Sequence, residues 1–203
     1  MLADPQRYTN VPIGRRPPVR WPNGAQLAFW VVVNHEVYEF DPPTWPPRKQ
    51  WARVHPDVLE YSHRDYGNRV GAWRILEALD RCGIRGSLNV NVAALDHFPD
   101  FTEACVAHGW EVFSHGVYNS RYLFGLTEAE ERSVIEDCIS SIERHAGERP
   151  AGWMGPMGTM TERTLDLLAE YEFAYNVELF HEDQPLPIKV DSGRLISVPY
   201  TQE

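Results

Sequence analysis

The sequence predicts an α/β fold built on a parallel sheet, and three observations carry this. Short β-branched apolar runs alternate with segments of helical period along the chain. The runs are apolar through their middles, as strands covered on both faces are. Their C-terminal ends carry acids, imidazoles and carboxamides, and ligands in parallel α/β folds sit at that edge.

Residues 1–24 are rich in Pro and Arg and have little periodicity, which predicts an irregular surface arm. The rest, 25–203, reads as one α/β domain. QLAFWVVVN at 26–34 reads as a strand buried on both faces. Residues 37–66 contain DPPTWPPRKQW and no helical period, so they read as a long ordered loop, with Trp45 and Trp51 as its aromatic wall or lid. Val70, Trp73, Leu76 and Leu79 recur at helical spacing up to the stop at Gly83. RGSLNVNV at 85–92 alternates with period two and reads as a strand with one polar face.

FPDFTEACVAHG is a short helix ending at Gly109, and WEVFSHG at 110–116 is the next strand. Thr127 and Glu130 form a capping box. The helix they open carries Val134, Ile135, Cys138, Ile139 and Ile142 on one face and stops at Gly147. RPAGWMG is a short strand, Thr161 caps a helix holding Leu165 and Leu168, and FAYNVELF at 173–180 is a strand. LISVP at 195–199 is the sixth strand, predicted to leave an open edge beside it.

Composition narrows the function classes. The formal charge is −10 with a pI near 5.3, which opposes duplex nucleic acid and anionic membrane surfaces. No apolar run approaches a membrane span, and MLADPQRYTN has no secretory h-region, so a cytoplasmic protein acting on a small molecule is expected. Cys82, Cys105 and Cys138 are scattered, without a CxxC pair, and read as reduced core residues.

The strand ends gather a compact set of polar groups: Asn34-His35-Glu36, Asn89 and Asn91, Ser114-His115-Gly116 followed by Tyr118, Asn119 and Tyr122, Trp153-Met154-Gly155, and Asn176 and Glu178 running into His181-Glu182-Asp183. Three segments, WPNGAQLAFWVVVNHE, GNRVGAWRILEALDRCGIRGSLNVNV and GWEVFSHGVYNSRY, resemble the polysaccharide deacetylase family (carbohydrate esterase family four), nearest its cytosolic branch of allantoinases and cyclic imide hydrolases. The resemblance covers residues 20–200. It implies a distorted (β/α) barrel. Such a barrel typically needs about 250 residues and eight strands, so six strands in 203 residues predict one that is incomplete at its C-terminus.

The departures from the family pattern bear on chemistry. Family deacetylases carry an acidic pair on the first strand; here Asn34-His35-Glu36 leaves one carboxylate. The family's metal motif is His-x-x-x-His; here Asn119 stands four residues after His115. The loop GWMGPMGTMT holds no Arg, where the family places one. Glu36 and His115 are thus two metal-ligand candidates, for a divalent ion such as zinc, with the third uncertain between Asn119, His35 and Asp183.

Without a strong metal, Glu36 is the candidate general base, with its pKa expected to be raised at an apolar strand end. His115 would orient the water or protonate the leaving group. Asn34, Asn119 and backbone N–H groups after Gly116 or Gly155 would serve the oxyanion. Tyr118, Tyr122, Asn89, Trp153, Met157, Glu178, His181 and Asp183 complete the candidate substrate-binding set.

The first functional expectation is a hydrolase of non-peptide carbon–nitrogen bonds in a small amide, cyclic imide, ureide or N-acetyl group. The alternatives are a metal-dependent carbohydrate deacetylase with altered ligands and a non-catalytic small-molecule-binding barrel. A homo-oligomer is compatible with each.

Overall fold

The computed structural model describes residues 6–42 and 56–200. Trp45 and Trp51 lie outside the described residues. Within them, β1 (Val32–His35), β2 (Ser87–Val90), β3 (Glu111–Ser114), β4 (Gly152–Trp153), β5 (Tyr175–Asn176), β6 (Leu186–Ile188) and β7 (Leu195–Ser197) form one sheet in the order β1-β2-β3-β4-β5-β7-β6. Neighbouring strands are parallel except β6 and β7, which are antiparallel. The sheet does not close, as in a distorted and open barrel.

The helices are α1 (Val58–Tyr66), α2 (Ala72–Arg81), α3 (Ala93–His97), α4 (Pro99–Ala107), α5 (Glu128–Ala146) and α6 (Thr164–Glu170). Helices α2 to α6 cover one face of the sheet, where Leu88, Val90, Phe101, Ile135, Ile139, Trp153, Leu168 and Phe173 form the main core. The other face carries a smaller cluster of Phe113, Met154 and Val177. Close packing at its rim requires Gly152: any Cβ there would meet the Tyr175 ring 2.2 Å away.

Local chemistry explains the helix ends. Thr127 accepts from the Glu130 amide and the Glu130 carboxylate accepts from the Thr127 amide, so the predicted capping box is present. Gly147 ends α5 in the left-handed region at φ 77°.

Several sequence expectations are corrected. Residues 26–31 are not part of a buried strand: they precede β1, which starts at Val32, and Leu27 and Phe29 are 78% and 76% exposed. Residues 58–66, read as loop, form α1, capped by the Asp57 side chain on the Glu60 amide. The segment VLEYSHRDY hides this helix because none of its residues is buried. Thr161 does not cap α6 directly, since the helix starts at Thr164 behind an N-cap at Arg163. β6 was unforeseen because it is three residues long and contains Pro187, which only a sheet edge tolerates well. It pairs with β7, so among the described residues the open edges are β1 and β6 rather than LISVP. Cys105 and Cys138 are buried free thiols, but Cys82 is exposed at the end of α2.

The N-terminal arm is irregular and tied down. Arg7 grips Asp166 of α6 through two 2.7 Å contacts and accepts from the Lys189 amide on its carbonyl. Tyr8 stacks on His181 with ring centroids 4.0 Å apart, and Arg16 pairs with Glu182.

Candidate active site

The period-two alternation of β1 sends Asn34 and Glu36 to one face and Val33 and His35 to the other. The His35 ring lies in the helix-side core, its centroid 4.9 Å from Phe101 and 5.7 Å from Phe98. It is therefore no ligand to a centre at Glu36. Burial pulls its pKa down to about 4, and neither ring nitrogen has a hydrogen-bond partner.

The backbone beside Glu36 is held from three elements. Asn68, in a π-helical turn at Gly67–Gly71 between α1 and α2, donates to the Glu36 carbonyl at 3.0 Å. Asn91 accepts from the Val37 amide at 3.0 Å and donates to the His115 carbonyl. The Asn119 amide donates to the Val37 carbonyl at 2.9 Å. These contacts set the β1 rim against the β3 rim.

The centre is the pair Glu36 and His115. His115 places Nδ1 2.6 Å from the Met154 carbonyl, which can only accept, so Nδ1 carries a proton. Its Nε2 is buried, has no hydrogen-bond partner, and faces Glu36 Oε1 at 3.6 Å. Glu36 Oε2 accepts from the Tyr38 hydroxyl at 2.8 Å and from Asn119 Nδ2 at 2.6 Å. Burial pushes the Glu36 carboxyl up, but hydrogen bonding and charge from His115, with help from Tyr38 and Arg64, outweigh it. Its pKa therefore lies below the ordinary carboxylate value, not above it as the apolar strand end suggested.

The raised carboxyl belongs to Glu178. It is buried, accepts from the Gly155 amide and from Asn176 Nδ2 at 2.6 Å each, and its pKa is pushed up to about 7 by burial against the pull of those hydrogen bonds. Both oxygens are engaged with protein groups, so Glu178 props the β4 loop rather than facing a substrate.

The other expected residues divide in two. Asn34 accepts from Asn89 Nδ2 at 3.0 Å, and Asn89 also contacts Met154 Sδ at 3.5 Å, forming a carboxamide layer one pleat below Glu36. Asn34, Glu36 and Tyr38 line a cleft of about 230 Å³ at the β1 edge. Tyr38 and Tyr118 line a second of about 340 Å³ with Arg64, Phe98 and Arg69. Tyr122 is half-buried and stacks on Phe124 at 5.8 Å, and Met157 is exposed on the β4 loop.

Trp153 is not part of the wall: it is completely buried on the helix side, edge-on to Phe173 at 5.6 Å, and its neighbour Met154 takes the inner face. His181 is covered by Tyr8, and Asp183 is exposed. Of the expected backbone donors, the position after Gly155 is Pro156, which has no N–H. The Gly116 and Gly155 amides themselves donate to Ser114 and Glu178.

The donor set does not fit a catalytic zinc. Among the described residues no three His, Cys, Asp or Glu side chains converge as a ligand group. Asn119, in the third position, spends its Nδ2 on Glu36 and Tyr38, and its Oδ1, buried without a hydrogen-bond partner, is a neutral carboxamide oxygen that suits zinc poorly. The two acceptors around Nδ2 dictate the orientation of the amide.

Tyr38 and Asn68 were absent from the expected site, and Asn91 stood among the strand-end groups without a role. Tyr38 shares the period-two face of Asn34 and Glu36, a signal already in the sequence. Asn68 sits inside the GNRVG segment, whose π turn only the fold reveals.

Comparison with known proteins places this geometry. The polysaccharide deacetylase family model matches residues 61–176. A peptidoglycan deacetylase-like protein of Gibberella zeae is 31% identical over 138 residues, covering 67% of this chain and 40% of its own length. A peptidoglycan deacetylase of Helicobacter pylori is 24% identical over 118 residues, covering 58% and 40%. The crystal structure of an allantoinase superimposes with a TM-score of 0.75 at 27% identity, covering 93% of this chain and 67% of that one. The chain thus spans 40% of the length of these two curated relatives. No helix among the described residues is long and apolar enough to cross a membrane.

Proposed function

Because the chain belongs to the polysaccharide deacetylase family, whose model spans residues 61–176, we propose that it hydrolyses a non-peptide carbon–nitrogen bond in a small amide, cyclic imide or ureide, with Glu36 as base and His115 as acid. The observation that carries this is the 3.6 Å approach of His115 Nε2 to Glu36 Oε1, with Nδ1 already committed to Met154.

The depressed pKa keeps Glu36 ionised at neutral pH. Its Oε1 takes a proton from water as the water oxygen bonds to the substrate carbonyl carbon. His115, protonated on both nitrogens, directs Nε2–H at the developing oxyanion and then gives that proton to the leaving nitrogen as the C–N bond breaks. Asn34 has its oxygen on Asn89, which leaves its Nδ2 as a second donor to the oxyanion. The proton on Glu36 returns to His115 across the short gap, restoring the pair. Tyr118 and Phe98, beside Tyr38, supply an apolar wall of a size suited to a small ring.

The names of the curated relatives favour a second substrate, an N-acetyl group on peptidoglycan. One panel separates the two: succinimide, hydantoin and allantoin against chitotetraose, each with and without chelator. Turnover of the ring substrates supports the proposal. Release of acetate from chitotetraose alone overturns its substrate class, and silence across the panel favours a binding protein.

A further inference from the structure

Tyr38, three residues beyond the end of β1, touches Glu36, Asn119 and Arg64. Its hydroxyl donates to Glu36 Oε2 at 2.8 Å and accepts from Asn119 Nδ2. The Arg64 guanidinium lies 3.9 Å from its ring centroid, and Arg64 is itself held by Glu60 at 2.9 Å. The ring is thus held by Arg64 of α1 and the hydroxyl by Glu36 and Asn119.

The consequence falls on Glu36. A glutamate carboxylate turns in a broad, nearly two-fold torsion, so its two oxygens are interchangeable unless something tells them apart. Here Tyr38 and Asn119 both sit on Oε2, while Oε1 alone faces His115. We propose that Tyr38 is a positioning residue of this site: its hydroxyl, together with the Asn119 Nδ2 it accepts from, pins Oε2 and so selects Oε1 as the oxygen that receives the proton from water.

Burial, followed by the charge on Glu36, raises the tyrosine pKa, so the hydroxyl keeps its proton through the working range and always donates. This inference rests on the reading of Glu36 as the base, and it concerns a residue two positions further along, whose ring a phenylalanine would replace without loss of packing. Tyr38→Phe keeps the Arg64 contact and removes only the hydroxyl, whereas Tyr38→Ala removes both.

The test joins crystallography of Tyr38→Phe with steady-state kinetics on succinimide and hydantoin, with Glu36→Gln alongside. The expected result is a folded Tyr38→Phe protein with KM within about twofold of wild type. Its kcat falls on the order of 10- to 100-fold, the scale set by misplacement of a catalytic group. Its Glu36 carboxylate rotates, with Oε1 no longer against His115 Nε2. A wild-type kcat in Tyr38→Phe, with Glu36→Gln inactive, overturns the role of Tyr38 alone. An active Glu36→Gln overturns the base itself. Where neither probe turns over, the crystal structure decides: Glu36 unmoved in Tyr38→Phe overturns the proposal, and a rotated carboxylate supports it.

Discussion

His115 Nε2 stands 3.6 Å from Glu36 Oε1, while its Nδ1 rests on the Met154 carbonyl at 2.6 Å. One contact fixes the ring and its proton, and the other aims the remaining nitrogen at the carboxylate. These residues are 79 positions apart in sequence, brought together by two adjoining parallel pairings, β1 with β2 and β2 with β3.

Removing either member of that pair should cost chemistry rather than folding. Glu36→Gln and His115→Asn are each expected to lower kcat by about 10²- to 10⁴-fold, the usual worth of a positioned acid or base. The double variant should fall little further, because the two act as a unit. Steady-state kinetics with a melting curve for each protein checks this, and additive losses would count against coupling.

Metal removal should leave turnover intact. The site offers two strong donors and the neutral Oδ1 of Asn119, a poor set for a catalytic zinc. Dialysis against EDTA, then assay on the ring substrates, is expected to retain wild-type rates. Loss restored by added zinc would reverse the assignment.

Glu178 should make stability fall as pH rises. Its folded pKa of about 7 lies above the ordinary value of 4.5. The folded state therefore holds a proton that the unfolded chain has released between those values. Stability is complete below 4.5 and declines through 7, by about 3 kcal/mol. Glu178→Gln, a mimic of the protonated form, is expected to remove this slope in urea titrations at pH 4.5, 6 and 8.

His35 should act with the opposite sign. Its folded pKa of about 4 lies below 6.5, so its contribution is present above 6.5 and is lost as pH falls toward 4. The size is about 3 kcal/mol. His35→Phe, beside Phe98 and Phe101, removes two unpaired buried nitrogens. It should raise Tm at pH 5 far more than at pH 8, and an equal shift at both would show packing alone at work.

The arm should depend on Arg7. Arg7→Ala leaves Asp166, whose side chain is 2% exposed, with Arg163 and the Asp191 amide as partners. A loss of about 1–2 kcal/mol is expected in urea unfolding. Limited proteolysis should cut the first residues faster in the variant, and unchanged cleavage would show that other contacts hold the arm.

Much of this was legible in the sequence, and the exceptions have physical causes. The α5 capping box and its apolar face were readable because both are local. Glu36 and His115 were readable as strand-end groups. The helix over 58–66 was hidden because its residues bury nothing. Trp153 was misassigned to the wall because an apolar run two residues long as a strand gives no alternation to show which face a residue takes. The expected rise in the Glu36 pKa ignored His115, since burial is suggested by a local pattern but a charge partner 79 residues away is not.

Alternation along the chain was enough to establish a parallel α/β sheet and to bring Asn34, Glu36 and His115 to strand ends, because strand period and connection length are properties of neighbouring residues. Which carboxyl is raised, which oxygen of Glu36 meets His115, and which way Asn119 turns its amide depended on elements packed from α1 to β5. Those are balances between burial and partners that meet only when the sheet assembles.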